Sequence, residues 1–273
     1  MIKVIYGEGF PARFEASTFP GGEQHFRFKY FVQHRTWDIH TALTSSDAIM
    51  QLAMAVDAIR QLNPHADIKL TAPYLPYARQ DRVCNDGEAL ALKVMCQMLN
   101  AMRFSEVEIW DVHSPVSLAL LDRVRNIQAS RFVDRIVYED PLKYVLVAPD
   151  AGAVSRVREC AKHRGMAVVR ADKIRDPKTG EITDTVVYSD HIVHHNFLIV
   201  DDICDGGATF IALAKKLRPL TDGAVLLYVT HGIFSKGLEV FHGLIDQIYC
   251  PNIWPGVSMS GNASGILSPI GDD

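Results

Sequence analysis

Short apolar runs alternate with helix-like stretches along this chain of 273 residues. The runs are rich in Val, Ile and Leu, as strands buried on both faces of a sheet are. They cover residues 2–6, 68–71, 107–110, 144–148, 197–200, 224–229 and 245–249. Apolar residues recur with a helical period at 46–62, 88–102, 154–163 and 207–217. Because alternating strands and helices form βαβ units, the sequence predicts an α/β fold with mainly parallel sheets flanked by helices.

The alternation occurs twice, which predicts two tandem α/β domains at residues 1–138 and 139–273. A chain of this length can bury two cores of moderate size. The final stretch, 251–273, is rich in Gly, Ser, Pro and Asn and lacks a helical period. We expect it to form an extended or loosely ordered tail.

Charge and cysteine content exclude several classes of protein. The net charge is −4 and the pI about 6.2, so no basic excess favours a nucleic-acid partner. No apolar run approaches the ~20 residues that a membrane-spanning helix needs, and no signal-peptide pattern occurs near the start. The five cysteines are scattered without CxxC spacing, which is typical of reduced thiols in a cytosolic protein. We therefore expect a cytoplasmic protein that acts without a membrane or nucleic acid.

Two aspartates, Asp201 and Asp202, directly follow the apolar run at 197–200. The carboxyl end of a strand is where ligands bind in an open α/β sheet. Next comes a short polar loop before a helix, made of Asp205, Gly206, Gly207, Ala208 and Thr209. Its glycines let backbone N–H groups converge, and the helix N-terminus adds partial positive charge. A plain glycine turn capped by aspartate is the alternative, but the aspartate pair favours a site for ribose and its phosphate.

A second run, at 73–82, contains two prolines and two tyrosines and follows the predicted strand at 68–71. The prolines predict a rigid, extended loop. This loop presents Arg79, Gln80 and Asp81 together, and a guanidinium there could bind phosphate. The whole run closely resembles a motif of the ribose-phosphate pyrophosphokinases, also called phosphoribosyl diphosphate synthetases.

Further segments resemble that family in the same order along the chain. They lie at 19–23, 111–114, 147–153, 171–175 and 230–235. The resemblance implies two tandem domains of the phosphoribosyltransferase fold. It also implies ATP and a phosphorylated ribose as partners, Mg²⁺ as cofactor, and a homo-oligomer, dimeric or higher.

The resemblance also implies residue roles. ATP would be bound by Phe19, Glu23, Arg79, Gln80, Asp81 and His113. Magnesium would be contacted by His113 and Asp150, with Lys173 and Arg175 catalytic on a mobile loop at 172–188. Ribose phosphate would be held by Asp201, Asp202, Asp205, Gly206, Gly207, Ala208 and Thr209. The implied reaction moves the β,γ-diphosphate of ATP to the 1-hydroxyl of ribose 5-phosphate.

The chain departs from the family at two positions. Gly21 stands where the family usually has Asp, which bears on nucleotide selectivity. Gly206 stands where it usually has Thr, which weakens recognition of a monoester or opens space for a larger acceptor such as ADP-ribose. A phosphoribosyltransferase would leave Phe19 and Arg79 without a role. A non-catalytic regulatory homologue should have lost residues such as Lys173.

Overall fold

The computed structural model describes residues 2–30, 32–175, 182–188, 194–257 and 266–269. The chain forms two compact units, Met1–Ile127 and Gln128–Asp273. We predicted a boundary at 138/139. The two compact units meet at 127/128, and helix Ala129–Ile136 packs against helix Val154–Lys162 within the second unit.

The first unit is built on a six-stranded sheet with the order β2-β1-β5-β6-β7-β8. Strands β5 to β8 are parallel, while β1 runs antiparallel to β2 and β5. The sheet strands are β1 (Lys3–Tyr6), β2 (Phe10–Pro11), β5 (Thr36–His40), β6 (Asp67–Thr71), β7 (Glu106–Trp110) and β8 (Val124–Ile127). A separate hairpin comprises β3 (Phe14–Thr18) and β4 (Gln24–Phe28), and the helices are α1 (Ser46–Leu62), α2 (Ala91–Ala101) and α3 (Val116–Leu120).

Helix α1 has the bounds that the sequence predicts, because capping and periodicity agree. The Ser45 hydroxyl accepts a hydrogen bond from the Ala48 backbone N–H at 3.2 Å and caps the first turn. The apolar stripe of the helix is buried in the core of the unit; it consists of Ile49, Leu52, Ala55, Val56 and Ile59.

The β3–β4 hairpin was absent from our prediction. Its residues are mostly exposed, so they lack the apolar run by which the other strands were recognised. Phe14 and Phe26 stack across the hairpin with ring centroids 4.8 Å apart. This aromatic pair attaches an otherwise polar hairpin to the core of the first unit.

The second unit is built on a sheet with the order β11-β10-β9-β12-β13-β14-β16, and β15 also pairs with β13. All neighbours are parallel except β10 and β11. The strands are β9 (Tyr144–Ala148), β10 (Ala167–Arg175), β11 (Ile182–Tyr188), β12 (Asn196–Cys204), β13 (Val225–Gly232), β14 (Gln247–Cys250), β15 (Asn252–Ile253) and β16 (Leu267–Pro269). The helices are α4 (Ala129–Ile136), α5 (Val154–Lys162) and α6 (Ala208–Leu217).

One prediction about the second unit was wrong, and another was incomplete. The segment at 172–188 is not simply a loop, because residues 172–175 and 182–188 belong to the antiparallel pair β10–β11. The tail is partly a sheet element, since β15 pairs with β13 and β16 pairs with β14. Ile266 and Leu267 are buried in the core. These two apolar residues give the tail a hydrophobic contact that its Gly- and Ser-rich composition obscures.

The α/β prediction is confirmed in both units, with mainly parallel sheets flanked by helices. All five cysteines are free thiols, and four of them are buried. Burial raises the pKa of the Cys96 thiol to about 11 and that of Cys250 to about 12. In the part of the chain that the structure describes, each helix is too short or too polar to cross a bilayer.

Candidate active site

The aspartate pair lies inside β12, because this strand continues past Val200 to Cys204. Asp202 is buried and Asp201 nearly so. Arg156 of α5 reaches both carboxylates: its Nη1 donates to Oδ1 of Asp201 at 3.3 Å, and its Nη2 lies 3.6 Å from Oδ1 of Asp202. One guanidinium therefore bridges two adjacent carboxylates at this end of the sheet.

The bridge does not fully offset the cost of burying Asp201. Burial raises the pKa of Asp201 well above its ordinary value, and the neighbouring charges of Asp202 and Asp150 raise it further, while Arg156 lowers it. An excess of buried negative charge destabilises the folded protein, so its presence suggests a functional role rather than a structural one. Groups that donate hydrogen bonds to both carboxylates, such as a vicinal diol, would relieve it.

Arg156 was missed by the sequence analysis, although one signal was present. It is the third residue of α5, where the partial positive charge of the helix N-terminus disfavours a cation. A cation in that position needs a compensating acid, and Asp201 and Asp202 supply it.

The polar loop after β12 turns sharply into α6. Gly207 is the residue before the helix and adopts φ +77°, the left-handed region that glycine tolerates best. A Cβ at Gly207 would lie 2.5 Å from the ring of Phe241, so close packing also excludes a side chain there. The first N–H groups of a helix have no partner within the helix, so this turn directs them toward the space beside the loop.

A second segment holds this loop in place. Ile233 and Phe234 donate backbone N–H bonds to the Cys204 carbonyl at 2.8 and 3.2 Å. The Ser235 hydroxyl donates to Oδ1 of Asp205 at 2.6 Å, and its backbone N–H donates to the Asp205 carbonyl at 3.2 Å. The polar loop at 205–209 is thus held in place by hydrogen bonds to the segment that follows β13.

The space beside Gly206 is occupied. A Cβ at Gly206 would lie 3.4 Å from Cδ and Cε of Lys236 and 3.6 Å from its Cγ, which is ordinary van der Waals contact. The room that Gly206 was expected to open beside the loop is therefore lined by the stem of an exposed lysine.

Asp150 follows β9, which lies next to β12 in the sheet. Its Oδ1 accepts a hydrogen bond from the Ala153 backbone N–H at 3.1 Å, in the turn that leads into α5. Asp150 is close enough to Asp201 to raise the pKa of that residue. Two of the predicted site segments of the second unit therefore lie close together at the carboxyl ends of neighbouring strands.

The predicted catalytic residues, Lys173 and Arg175, lie on β10. The backbone of Lys173 is opposite Thr185 of β11, and the register shifts between Ile174 and Arg175. The side chains of Lys173 and Arg175 lie outside the described part of the structure. On the partner strand, Asp184 binds Lys216 of α6 at 2.9 Å, which anchors β11 to the helix after the polar loop.

In the first unit, Phe19 and Glu23 lie at the tip of the β3–β4 hairpin. Phe19 donates its backbone N–H to the Glu23 carbonyl at 2.8 Å. The Phe19 ring is half exposed and lies 5.5 Å from the ring of His25. A Cβ at Gly21 would meet no described atom within 4 Å beyond its chain neighbours. The tip therefore presents one aromatic ring beside an open backbone position.

The run at 73–82 is not extended as predicted. It contains a turn in which Gln80 donates its backbone N–H to the Tyr77 carbonyl at 2.9 Å. Tyr77 has φ +62°, and the apolar side chains of Leu75 and Ala78 are buried. Burial of these two residues pulls the chain into the turn, and Arg79 and Gln80 emerge exposed from it.

Asp81 connects this turn to the segment after β7. The Ser114 hydroxyl hydrogen-bonds to Asp81, which lowers the pKa of its carboxyl against the opposing effect of burial. Arg82 also donates to Oδ1 of Asp81, at 3.1 Å. His113 is exposed next to Ser114, and Asp111 is buried with φ +40°. The structure thus brings the motif at 79–81 together with the one at 111–114.

Comparison with known proteins gives the family. Residues 10–102 match the model of the N-terminal domain of ribose phosphate pyrophosphokinase. The ribose-phosphate pyrophosphokinase of Thermococcus kodakarensis is 30% identical over 243 residues, which cover 88% of this chain and 85% of that protein. This chain belongs to the ribose-phosphate pyrophosphokinase family. The Pyrococcus furiosus member is 29% identical over 248 residues, covering 88% of this chain and 86% of its own.

A solved structure agrees on the fold. The phosphoribosylpyrophosphate synthetase from Mycobacterium smegmatis covers 95% of this chain with a TM-score of 0.79 and 19% identity, over 86% of its own length. The family resemblance and the fold class predicted from the sequence are therefore confirmed, and members of this family are enzymes.

Proposed function

We propose that this chain transfers the β,γ-diphosphate of ATP to the 1-hydroxyl of ribose 5-phosphate, giving AMP and phosphoribosyl diphosphate. Family membership supports the reaction class. The observation that carries the proposal is the arrangement after β12, in which Arg156 bridges Asp201 and Asp202 directly before a glycine loop and helix N-terminus. A diol site next to an anion site matches the two ends of ribose 5-phosphate.

The acceptor half of the reaction is assigned to the second unit. The 2- and 3-hydroxyls would donate to Asp201 and Asp202, whose buried negative charge favours hydrogen-bond donors. The 5-phosphate would be bound by N–H groups of the loop at 205–209, where the helix N-terminus favours an anion. Both contacts fix the sugar rigidly, which is the main requirement of phosphoryl transfer.

The nucleotide half is assigned to the first unit. The exposed ring of Phe19 can stack on a purine base, and Glu23 lies at the same hairpin tip. Arg79 and Gln80 emerge from the turn at 76–79, where a guanidinium can bind phosphate oxygens. Asp81 orients the neighbouring segment through Ser114, and His113 would contact the nucleotide.

In the reaction, the 1-hydroxyl oxygen attacks the β-phosphorus, and the bond from that phosphorus to the oxygen shared with the α-phosphate breaks. AMP leaves with the electron pair, and the hydroxyl proton is released to water. The β10 residues Lys173 and Arg175 would neutralise the charge that develops on the transferred group. Movement of the β10–β11 segment over the substrates would exclude water.

Magnesium is the cofactor that this chemistry requires. No group of three or more His, Cys, Asp or Glu side chains that could hold a metal occurs among the residues described. Mg²⁺ keeps several waters and is bound mainly by substrate phosphates, so it needs few protein ligands. Asp150 and His113 are the predicted contacts, and the bound ion would shield charge on the diphosphate.

The acceptor proposed is a monoester. The ADP-ribose alternative needs space beside Gly206, and the stem of Lys236 lies there. Turnover of ribose 5-phosphate and ADP-ribose should be measured side by side by AMP release with ATP and Mg²⁺. We expect the monoester to be used at least a hundredfold more efficiently. Equal or better use of ADP-ribose would overturn the acceptor assignment.

A further inference from the structure

The side chain of Lys236 lies against Gly206, in the polar loop after β12. Its Cδ and Cε lie 3.4 Å from the position of a Cβ at Gly206. The ammonium is one bond beyond Cε, and the residue is exposed. A flexible cation therefore has its stem laid along the loop that we assign to the acceptor phosphate.

The position of Lys236 is set by the backbone on both sides. Ser235 is bound to Asp205 by its hydroxyl and its backbone N–H. Gly237 donates its backbone N–H to the Phe234 carbonyl at 2.8 Å and has φ +75°, so the chain turns tightly just after Lys236. These bonds fix the backbone of Lys236 close to Asp205, and the side chain of the lysine reaches Gly206 from there.

The residue at 206 and the lysine are complementary in volume. A side chain larger than a methyl group at 206 would extend into the methylenes of Lys236, since a Cβ there is already at contact distance. Gly206 thus leaves the loop without a side-chain donor at that position, and the same absence admits the lysine stem. Gly206 therefore lacks a hydrogen-bond donor in its side chain, while Lys236 brings a positive charge to the same part of the loop.

We propose that Lys236 binds the 5-phosphate of the acceptor as a charged ligand at the loop 205–209, an inference that rests on the proposed function. Backbone N–H groups and a helix N-terminus bring only partial charge to a phosphate dianion. A lysine ammonium adds a full, mobile positive charge with three donors. Lys236 therefore makes the site select a doubly charged terminal monoester over an uncharged sugar.

The test measures binding of ribose 5-phosphate to the full-length protein by calorimetry, without ATP, and AMP formation separately. Lys236→Met keeps the length of the stem and removes the charge. We expect its Kd for ribose 5-phosphate to rise about tenfold, the loss typical of one charge-assisted contact. Lys236→Arg should stay within about threefold of wild type. Lys215→Met, an exposed lysine on α6, is the matched control and should not change the Kd.

The outcomes separate this inference from the proposed function. The role of Lys236 is refuted if Lys236→Met binds ribose 5-phosphate as wild type does, or if Lys215→Met weakens binding equally. Neither outcome bears on the proposed reaction, which the formation of AMP tests separately. If wild type binds ribose 5-phosphate through Lys236 yet forms no AMP from ATP, the proposed reaction fails and the phosphate contact stands. Circular dichroism shows whether each variant is folded. A folded Lys236→Met variant that binds ribose 5-phosphate as tightly as wild type would refute the role of Lys236.

Discussion

Arg156 on α5 donates a hydrogen bond from Nη1 to Oδ1 of Asp201 on β12 at 3.3 Å, although the two residues are 45 positions apart. Its Nη2 also lies 3.6 Å from Oδ1 of Asp202. This contact gives the aspartate pair a counter-charge from within the protein. It also fixes the orientation of Asp201 toward the helix, so a substrate meets a preformed pair of acceptors.

Replacement of Arg156 by Met should destabilise the second unit by about 2 kcal/mol, because it removes the positive charge that lies beside two buried carboxylates. The free energy of unfolding in urea measures this. Arg158→Met, an exposed arginine of the same helix, is the control and should change stability by less than ~0.5 kcal/mol. Arg156→Met should cost less in an Asp201→Asn background than in wild type, because one of the two carboxylates beside the arginine is then neutral. If the effects of the two substitutions on the free energy of unfolding are additive, the contact between Arg156 and Asp201 does not contribute to stability.

Asp201→Asn should stabilise the protein at neutral pH while impairing acceptor binding. The folded-state pKa of Asp201 lies above the ordinary value of ~3.9, so the folded protein holds the proton more tightly than the unfolded chain. The stability of wild type therefore falls as the pH rises from about 4 through the folded-state pKa. Relative to wild type, Asp201→Asn should gain ~1 kcal/mol at pH 8 and less at pH 4.5.

Urea unfolding at several pH values measures that difference, with the exposed Asp57→Asn as control. Asp57 is exposed on α1 in the first unit, so its replacement controls for the general effect of removing one surface carboxylate. A gain for Asp201→Asn that is larger at pH 4.5 than at pH 8 would contradict the burial of a charged Asp201.

Gly21→Asp should raise selectivity for ATP over GTP. A Cβ at Gly21 meets no described atom within 4 Å beyond its chain neighbours, so an aspartate fits at the hairpin tip beside Phe19. Its carboxylate could accept a hydrogen bond from the adenine amino group. We expect the ratio of kcat/KM for ATP to that for GTP to rise about tenfold, as one added hydrogen bond allows.

For that substitution, Gly21→Asn is a matched control of the same size without the negative charge. An unchanged ratio in Gly21→Asp, with folding intact, would show that the hairpin tip does not contact the base.

Lys173→Ala should lower kcat for AMP formation by 10²- to 10³-fold, roughly, while the KM for ribose 5-phosphate changes little. The reason is that the residue acts on charge developing in the transition state. Lys162→Ala, an exposed lysine at the end of α5, serves as the control. AMP production at the wild-type rate in Lys173→Ala would refute the catalytic role of β10.

Local sequence signals predicted the elements that carry the site. Helix α1 was predicted with its bounds because Ser45 and a regular apolar stripe act together. The loop at 205–209 was predicted because glycines and acids follow an apolar strand. Such signals lie within a few residues of one another, so they can be read along the chain.

Contacts between distant segments could not be predicted in the same way. Arg156 meets Asp201, Ser235 meets Asp205 and Lys236 covers Gly206 only after β9, β12 and β13 align in parallel. The extension of β12 past Val200 was missed because polar residues end the apolar run before the strand ends. Register and crossover geometry bring these groups together, and no local pattern encodes them.

The central claim is that a diphosphate group, not a single phosphate, is moved to ribose 5-phosphate. ³¹P nuclear magnetic resonance of a reaction of the wild-type protein with ATP, Mg²⁺ and ribose 5-phosphate tests it most directly. The account predicts that AMP appears in step with two coupled phosphorus signals of a sugar 1-diphosphate, and that both depend on Lys173. Formation of ADP with a sugar 1,5-bisphosphate, or no AMP at all from the folded protein, would contradict it.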